Sequence, residues 1–358
     1  MTDTSLQASG GKPATERRIA LTGPDFFSYI QAVRDEFIRR GYPSKYHDER
    51  HSNSVWTKIA YRLQFASHLK VQRQRHLDSI RREILADGTT DLYLISTEVI
   101  NLEFVQALKE HQVRVHLYMW DSAGNKKGSF LPLLPVINSR SSFEPDDCKT
   151  HDMTYIPLFA EQMFSALRVT PVPRADELVF LGTLHSHRSK LLRGLERAVR
   201  GSGMRIRKLL FYHSRALFAC KCLVNWRALR YLPSLRTRGF DKEEIAASYF
   251  QSKAVLDIHH PGQAGLTSRT FESLRAGAWL ITLNKTVDSL PAPLRERAVV
   301  LDNVGELASR LDPVRQPLPP LTPEMDHFLS LERFADDLLN LAGLPLRQEP
   351  SGSGRTAA

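Results

Sequence analysis

Short apolar runs recur along the chain, and most are followed by a loop and a stretch of helical periodicity. In the first such unit, IALTG at 19–23 predicts a strand, and apolar residues recur at helical spacing from Phe26 to Ile38 until Gly41 ends the helix. Further strands are predicted at 91–96, 113–120, 177–183, 204–212, 254–258, 278–284 and 298–302, and helices at 56–86, 101–109, 189–199, 241–250 and 322–343. This alternation predicts parallel sheets with helices on both faces.

The pattern restarts halfway along the chain. VTPVPRADE (169–177) carries two prolines and indicates an interdomain linker, and each half opens with a strand that ends in a glycine, Gly23 or Gly182. A chain of 358 residues fits two domains. We therefore expect a disordered tail at 1–17, an N-terminal domain at 18–168, a linker at 169–176, a C-terminal domain at 177–320, a C-terminal helix at 321–344 and a second tail at 345–358.

Composition narrows the class of protein. Hydrophobic content of 42% and charged content of 25% are typical of globular proteins. No apolar run approaches the roughly 20 residues that span a bilayer, and the N-terminus has no apolar signal core, so we expect a cytoplasmic protein. The three cysteines have neither disulfide-framework nor zinc-site spacing, which predicts free thiols.

The net charge of +10 suits nucleic acid, anionic lipid or phosphate-bearing substrates. The densest basic segment, 207–239, mixes arginine with Trp226 and Tyr231, which favours either an anionic membrane surface or a solvated basic face. The sequence has no zinc-finger spacing or aromatic RNA-binding motif, and its basic residues are spread along the chain. We therefore expect no specific nucleic-acid partner, although a basic nucleic-acid-binding protein remains an alternative.

The stretch HHPGQAGLTSRTFESLRAG (259–277) carries candidate chemistry, because it lies between a strand and a helix start. Thr267 or Ser268 is suited to cap that helix, so that the amides of residues 266–269 would favour an anion. Arg269 beside those amides suits a diphosphate, and Glu272 one turn deeper suits a pair of sugar hydroxyls. A surface ion pair between Arg269 and Glu272 is the alternative.

The run AVLDIHHPGQAGLTSRTFESLRAGAWLITLN resembles the donor-site segment of bacterial glycosyltransferases with the GT-B fold, most closely the lipopolysaccharide or capsule biosynthesis branch that is related to spore-maturation-type transferases. RIALTGPDFFSYI, VHLYMWDS, YIPLF and LVFLGTLHSHRSKLL resemble other parts of that branch in the same order, so the resemblance covers roughly 18–305. It implies an α/β protein of two Rossmann-like domains that face each other across a cleft.

The resemblance also implies functional residues. Glu272 would bind the ribose, and Arg188 and Arg269 the diphosphate. The position that usually holds a second glutamate is Ala264 here, which leaves Gln263 as the nearest polar substitute. The full expected donor-binding set is Gly23, Gly182, Arg188, Gln263, Gly265, Leu266, Thr267, Arg269 and Glu272.

Two carboxylates are candidate catalytic bases. Asp25 follows the first strand and Asp121 follows the strand at 113–120, but either is equally suited to cap a helix or a loop. His185, His187, His259 and His260 flank the expected site, with solvated or structural roles as the alternative. The chain has no Asp-x-Asp motif where a metal-dependent transferase needs one, so we expect no essential metal, and we expect no cofactor.

These observations predict a glycosyltransferase that moves a sugar from a nucleoside diphosphate donor to a cell-surface glycan precursor, with a glycan or lipid-linked acceptor. We expect it to act in the cytoplasm, with the inner face of the cell membrane as a candidate site of peripheral attachment. A nucleotide-sugar epimerase of the same fold is the alternative enzyme.

Overall fold

The computed structural model describes residues 17–346 except 26–27, 51–66, 127, 171–172, 184–185, 213, 224–225 and 259–261. Most of the two expected tails therefore lies outside the described residues, as do His185, His259 and His260. Contacts divide the chain into two units. The first contains the residues up to Phe143, Asp147–Ile156 and the residues from Ala335 onward, and the second contains Glu144–Asp146 and Pro157–Phe334.

The first unit is built on a six-stranded sheet in the order β2-β1-β3-β4-β5-β6, with every pair parallel. Its strands are β1 (Ile19–Gly23), β2 (Ser44–Asp48), β3 (Asp91–Ile95), β4 (Arg114–Met119), β5 (Ser139–Ser142) and β6 (Thr154–Tyr155). Its helices up to β6 are α1 (Tyr29–Arg39), α2 (Ser67–Ala86), α3 (Leu102–Glu110) and α4 (Pro145–His151), the last of which begins among the residues of the second unit.

Burial explains why these segments form these elements. β1 and β3 are buried along their whole length, as is typical of inner strands of a parallel sheet with both faces covered. α1 buries Ile30, Val33 and Phe37, which are spaced three or four residues apart on one face. At the start of α3, the Asn101 side chain accepts a hydrogen bond from the Phe104 amide, as expected for a capping residue.

The second unit is built on another all-parallel six-stranded sheet, in the order β12-β11-β10-β7-β8-β9. Its strands are β7 (Ala175–Thr183), β8 (Arg205–Phe211), β9 (Leu235–Arg236), β10 (Ser252–Asp257), β11 (Trp279–Thr282) and β12 (Ala298–Val300). Its helices are α5 (Ser186–Ala198), α6 (Arg215–Lys221), α7 (Lys242–Gln251), α8 (Ser268–Arg275), α9 (Ala292–Arg295), α10 (Asp312–Arg315) and α11 (Pro323–Phe328). The described residues also form 3₁₀ segments at Leu131–Val136, Gln162–Phe164, Ala166–Arg168, Trp226–Ser234, Lys285–Ser289 and Val304–Arg310.

The single helix expected from 322 to 343 is two helices, α11 and α12 (Leu331–Leu341). The helix is interrupted where Ser330 forms a parallel bridge with Ala160 of the same unit. α12 begins in the second unit and continues into the first, where the Tyr93 hydroxyl donates to the Leu338 carbonyl. Among the described residues, no helix is long and apolar enough to cross a membrane.

Candidate functional site

In the second sheet, the order of strands reverses between β7 and β10, because the chain adds β8 and β9 on one side and β10 to β12 on the other. Ligands of open α/β sheets bind beyond the carboxyl ends of the strands at such a reversal. Gly182 is the second-to-last residue of β7, and β10 ends at Asp257. The reversal therefore lies beside the stretch that the sequence analysis selected.

Asp257 organises the start of α8. Its carboxylate is 1% exposed and accepts hydrogen bonds from the Thr267 hydroxyl (2.8 Å), the Thr270 hydroxyl (2.7 Å) and Arg269 Nη1 (3.0 Å). Since a buried carboxylate needs such partners, Asp257 fixes the helix start to the end of β10. It also holds the Arg269 guanidinium, whose side chain is 20% exposed, at the carboxyl edge of the sheet.

Thr267 occupies the capping position of α8, but its hydroxyl is directed to Asp257 instead of to a helix amide. Among the described residues, no hydrogen-bond partner is found for the backbone amides of Leu266, Thr267, Ser268 and Arg269. These amides carry the positive end of the helix dipole, and an anion is their natural partner. The amide group that the sequence analysis selected is therefore available to a ligand.

The preceding loop is held on both sides. The amides of Ala264 and Gly265 donate to one oxygen of Glu144, each at 3.0 Å, and their carbonyls accept from Asn284 Nδ2 at 3.0 and 3.1 Å. Glu144 and Asn284 are 3% and 4% exposed. Neither residue was expected at the site from the sequence, although Asn284 had a signal, since it is the polar residue that follows an apolar strand. Glu144 brings a carboxylate to residue 264, the position at which the transferases that the sequence resembles usually have a glutamate.

Glu272 is 4% exposed, and Arg269 forms its ion pair with Asp257, so an exposed surface pair between Arg269 and Glu272 does not describe this helix. Tyr249, from α7, is fully buried near Glu272, Arg269 and Asp257. Its hydroxyl has no hydrogen-bond partner among the described residues. Burial, followed by the charge of Glu272, raises the pKa of Tyr249 well above its usual value, so the phenol remains protonated.

Seven of the expected donor-binding residues belong to this edge of the second sheet: Gly182, Gln263, Gly265, Leu266, Thr267, Arg269 and Glu272. Leu266 is 1% exposed, so only its backbone is suited to face a ligand. Arg188 is the third residue of α5, and its backbone alone is described. Gly23, Asp25 and Asp121 belong to the first unit.

The order of the first sheet reverses between β1 and β3. Gly23 ends β1, and a Cβ atom placed on it would lie 2.1 Å from the Ile95 carbonyl oxygen of β3. Only glycine therefore fits this close approach of two strands. Asp25 follows two residues later, and its Oδ1 is buried without a hydrogen-bond partner among the described residues. The Oγ of Ser96, which directly follows β3, is in the same condition.

Asp121 has a different environment from Asp25. Its Oδ1 accepts hydrogen bonds from the Ser122 amide (3.1 Å) and from Asn125 Nδ2 (2.9 Å). These bonds close the turn that follows β4, as expected for a carboxylate that caps a loop. Of the two candidate bases, Asp25 is the one with a buried carboxylate oxygen that has no hydrogen-bond partner among the described residues.

Glu49 was missed by the sequence analysis. It follows β2, has no exposed surface, and accepts hydrogen bonds from the Thr97 hydroxyl and the Glu98 amide, both at 2.6 Å. Burial raises the pKa of Glu49 to about 7. The carboxyl edge of the first sheet is thus rich in carboxyl groups, and one of them titrates near neutrality.

No family model and no curated protein matches this sequence. Solved structures resemble it over most of its length. A glycosyltransferase from Rickettsia africae is 13% identical with a TM-score of 0.52 over 91% of this chain and 95% of that chain. OtsA in its apo form is 10% identical with a TM-score of 0.59 over 91% and 99%.

A UDP-GlcNAc 2-epimerase from Methanocaldococcus jannaschii, in complex with UDP-GlcNAc and UDP, is 9% identical with a TM-score of 0.53 over 92% of this chain and 99% of that chain. Identities this low carry information about the fold alone. Together with the two parallel six-stranded sheets and their helices, these similarities identify the chain as an α/β protein of the GT-B fold.

Proposed function

We propose that this protein is a glycosyltransferase that moves a sugar from a nucleoside diphosphate donor to a hydroxyl of a cell-surface glycan precursor. One observation carries the proposal. At the strand reversal of the second sheet, the amides of residues 266–269 have no partner among the described residues, and Asp257 holds the Arg269 guanidinium beside them at 3.0 Å. Amides at a helix start and a guanidinium together suit a diphosphate.

The chemistry follows from where charge develops. When the bond between the sugar and the diphosphate breaks, negative charge accumulates on the departing phosphate oxygen. Donors that are already oriented toward that oxygen lower the barrier, because they need no reorganisation during the reaction. We assign this role to the amides of residues 266–269, to Arg269, and to Arg188 in the first turn of α5. We assign the ribose hydroxyls to Glu272.

The acceptor hydroxyl must lose its proton as it attacks. We assign the proton to Asp25 if the reaction inverts configuration, since its Oδ1 is a buried acceptor with no described partner. Asp121 is less suited to this step, because the turn after β4 already uses one of its oxygens. If the reaction retains configuration, a separate base matters less.

The acceptor that we propose is a glycan or lipid-linked precursor of the lipopolysaccharide or capsule type, used in the cytoplasm at the inner face of the cell membrane. The resemblance of the 254–284 segment to that branch of transferases supports this choice. The net charge of +10 supports substrates that carry phosphate, which include lipid-linked sugars.

A thermal-shift screen of nucleoside diphosphates and their sugars tests the donor half of the proposal. A ligand at about 100 times its Kd stabilises the native state by about 2.7 kcal/mol, so a true donor raises Tm measurably. The Arg269→Ala protein should lose most of the shift. If no nucleoside diphosphate raises the Tm of the unchanged protein at millimolar concentration, the proposed donor site is wrong.

A nucleotide-sugar epimerase is the second candidate, because UDP-GlcNAc 2-epimerases are among the structures that share this fold. The two functions differ in what they consume. An epimerase turns over the donor sugar alone, whereas a transferase releases nucleoside diphosphate faster when an acceptor is added. Incubating the protein with the donor identified by the screen, and following the sugar by NMR, distinguishes them.

A further inference from the structure

The most exposed large hydrophobic side chains of the described residues are close together in sequence. Leu223 is 86% exposed, Trp226 is 70% exposed and Leu217 is 60% exposed, and all three lie within ten residues of one another. Leu229 follows at 42%. Exposed apolar side chains are ordinary when they are scattered singly, but a group of large ones indicates an interaction surface.

Packing determines the direction in which this group points. Leu217 lies in α6, Trp226 and Leu229 lie in the 3₁₀ segment Trp226–Ser234, and Leu223 lies in the turn after α6; the two segments contact each other. The two segments bury Phe218, Cys222, Ala228 and Tyr231 in the same hydrophobic core of the second unit. Since their inward sides share one core, the leucines and the tryptophan are held on the outward side.

Arginines accompany the apolar group. Arg215 and Arg227 are exposed, and neither forms an ion pair with a described residue. The Arg227 guanidinium lies 5.7 Å from the Trp226 ring centroid. Arg230 is 57% exposed at its side chain and lies 3.5 Å from Glu196, most of whose side chain is buried. The name 217–229 patch is used below for the four exposed apolar residues between 217 and 229 together with the three arginines beside them. Its members are Leu217, Leu223, Trp226, Leu229, Arg215, Arg227 and Arg230.

We propose that the 217–229 patch is a docking surface for an anionic lipid bilayer, into which Trp226, Leu223 and Leu217 insert. A tryptophan and leucines that are accompanied along the chain by exposed arginines match the layered chemistry of an interface, with acyl chains beneath anionic headgroups. The absence of ion pairs at Arg215 and Arg227, within the described part of the chain, leaves their charge for headgroups. A protein partner would also cover the leucines, but it would not require exposed arginines such as Arg215 and Arg227, which form no ion pair with a described residue.

This inference names the surface for the membrane location given in the proposed function, but its test does not depend on that function, because membrane binding is measured without donor or acceptor. If both are correct, the patch carries the transferase to a lipid-linked substrate. Failure of nucleotide binding and failure of vesicle binding are separate results, obtained from the same purified protein.

The test is flotation of the full chain with vesicles rich in phosphatidylglycerol and with vesicles of pure phosphatidylcholine. The unchanged protein should float with the anionic vesicles at low salt and should be released as salt rises, because exposed charges are screened over about 8 Å at physiological ionic strength. The double variant Leu223→Gln, Trp226→Gln should reduce the bound fraction about tenfold or more, since its apolar contact with the bilayer is lost.

The matched control is Ile38→Gln, Val71→Gln, which removes two hydrophobic side chains that are 49% and 54% exposed elsewhere. It should bind vesicles as the unchanged protein does. Arg215→Gln, Arg227→Gln should weaken binding to anionic vesicles. All the replaced side chains are exposed or unpaired with acidic groups, so Tm should be unchanged and serves as the check on folding.

A second spectroscopic measurement identifies the inserted ring. In the unchanged protein, the part of the tryptophan emission that comes from Trp226 is obtained by subtracting the Trp226→Phe spectrum. This emission should shift to shorter wavelength on addition of anionic vesicles. The proposal is overturned if the unchanged protein stays unbound at low salt, or if the Leu223→Gln, Trp226→Gln protein floats equally well. It is also overturned if these two changes leave vesicle binding intact and instead convert a dimer to a monomer by light scattering, since the patch would then be covered by a second copy of the chain.

Discussion

At the carboxyl edge of the first sheet, the side chains around the strand reversal are acidic: Asp25 and Asp48 near Gly23, and Glu49 just beyond β2. At the corresponding edge of the second sheet, the carboxylate of Asp257 accepts hydrogen bonds from two threonine hydroxyls and a guanidinium, next to amides without described partners, and the carboxylates of Glu144 and Glu272 are buried. Both sheets are parallel and six-stranded, and the first strand of each along the chain, β1 or β7, has glycine as its last or second-to-last residue. The scaffold therefore determines where a ligand lies, and the residues after each strand determine its charge.

The largest expected effect is at the acidic edge. Asp25→Asn should lower transfer by about 10²- to 10⁴-fold if Asp25 takes the acceptor proton, because asparagine cannot accept it. Nucleoside diphosphate affinity should be unchanged, since that site belongs to the other edge. Asp121→Asn is the matched control and should cost much less. Equal losses in the two variants, measured as kcat/KM, would remove the distinction between the two carboxylates.

At the edge suited to anions, Arg269→Ala should reduce turnover by about 10²-fold or more, because a charge that stabilises the leaving diphosphate is removed. The same change deprives buried Asp257 of one partner but leaves both threonine hydroxyls, so the protein should remain folded with a lower Tm. Arg188→Ala should have a similar effect on turnover. Normal turnover of either variant at saturating donor would contradict the role assigned to that arginine.

The acidic edge should also have a pH signature. Burial raises the pKa of Glu49 from its usual 4.5 to about 7, so the folded protein holds this proton more tightly than the unfolded chain does. The stabilisation is complete below the unfolded value and is lost as the pH rises through the folded one. The free energy of unfolding of the unchanged protein, minus that of Glu49→Gln, should fall by about 3 kcal/mol over this window.

Denaturant titrations across that pH range measure the difference for Glu49→Gln, with Glu103→Gln as a control at an exposed position of α3. A difference that does not vary with pH would mean that Glu49 titrates normally in the folded state. In that case the two edges would differ in composition, but not in proton affinity.

The smallest effect concerns Glu272. Glu272→Gln should weaken nucleoside diphosphate binding by about 1–3 kcal/mol, because a neutral amide is a poorer acceptor for ribose hydroxyls than a carboxylate. Calorimetry measures the affinity, and Glu296→Gln, which changes an exposed glutamate of the same unit, is the control. An unchanged affinity would assign Glu272 to the packing of α8.

The sequence predicted the inner strands of both sheets well, because buried parallel strands are continuous apolar runs. IALTG at 19–23 and the strands of 91–96 and 254–258 agree with β1, β3 and β10 to within two residues. The strands that it missed are β2 (SKYHD), β5 (SRSS), β6 and β9. Three of these lie at an edge of a sheet, and β5 is next to one. Polar edge strands have no hydrophobic signal.

The missed strands also explain the missed residues. Glu49 follows β2 and Glu144 follows β5, so neither was recognised as a carboxylate at the end of a strand. Thr267 and Arg269 were selected as candidates because a clear apolar strand precedes them. Their common partner Asp257 was not placed in the expected site, because which groups converge on one carboxylate is decided by packing between segments. The donor and catalytic assignments themselves remain predictions.

The course of α12 has a consequence for how the protein is made. Residues from Ala335 onward belong to the first unit, where the Tyr42 hydroxyl donates to the Pro345 carbonyl and Arg40 pairs with Asp336. On the ribosome, the first sheet is synthesised well before this helix, and the whole second unit emerges between them. The unit that is translated first is therefore completed last. A protein made of residues 17–156 alone would lack this helix. Fusing residues 331–346 ahead of residue 17 through a linker would supply the helix before the first sheet is synthesised.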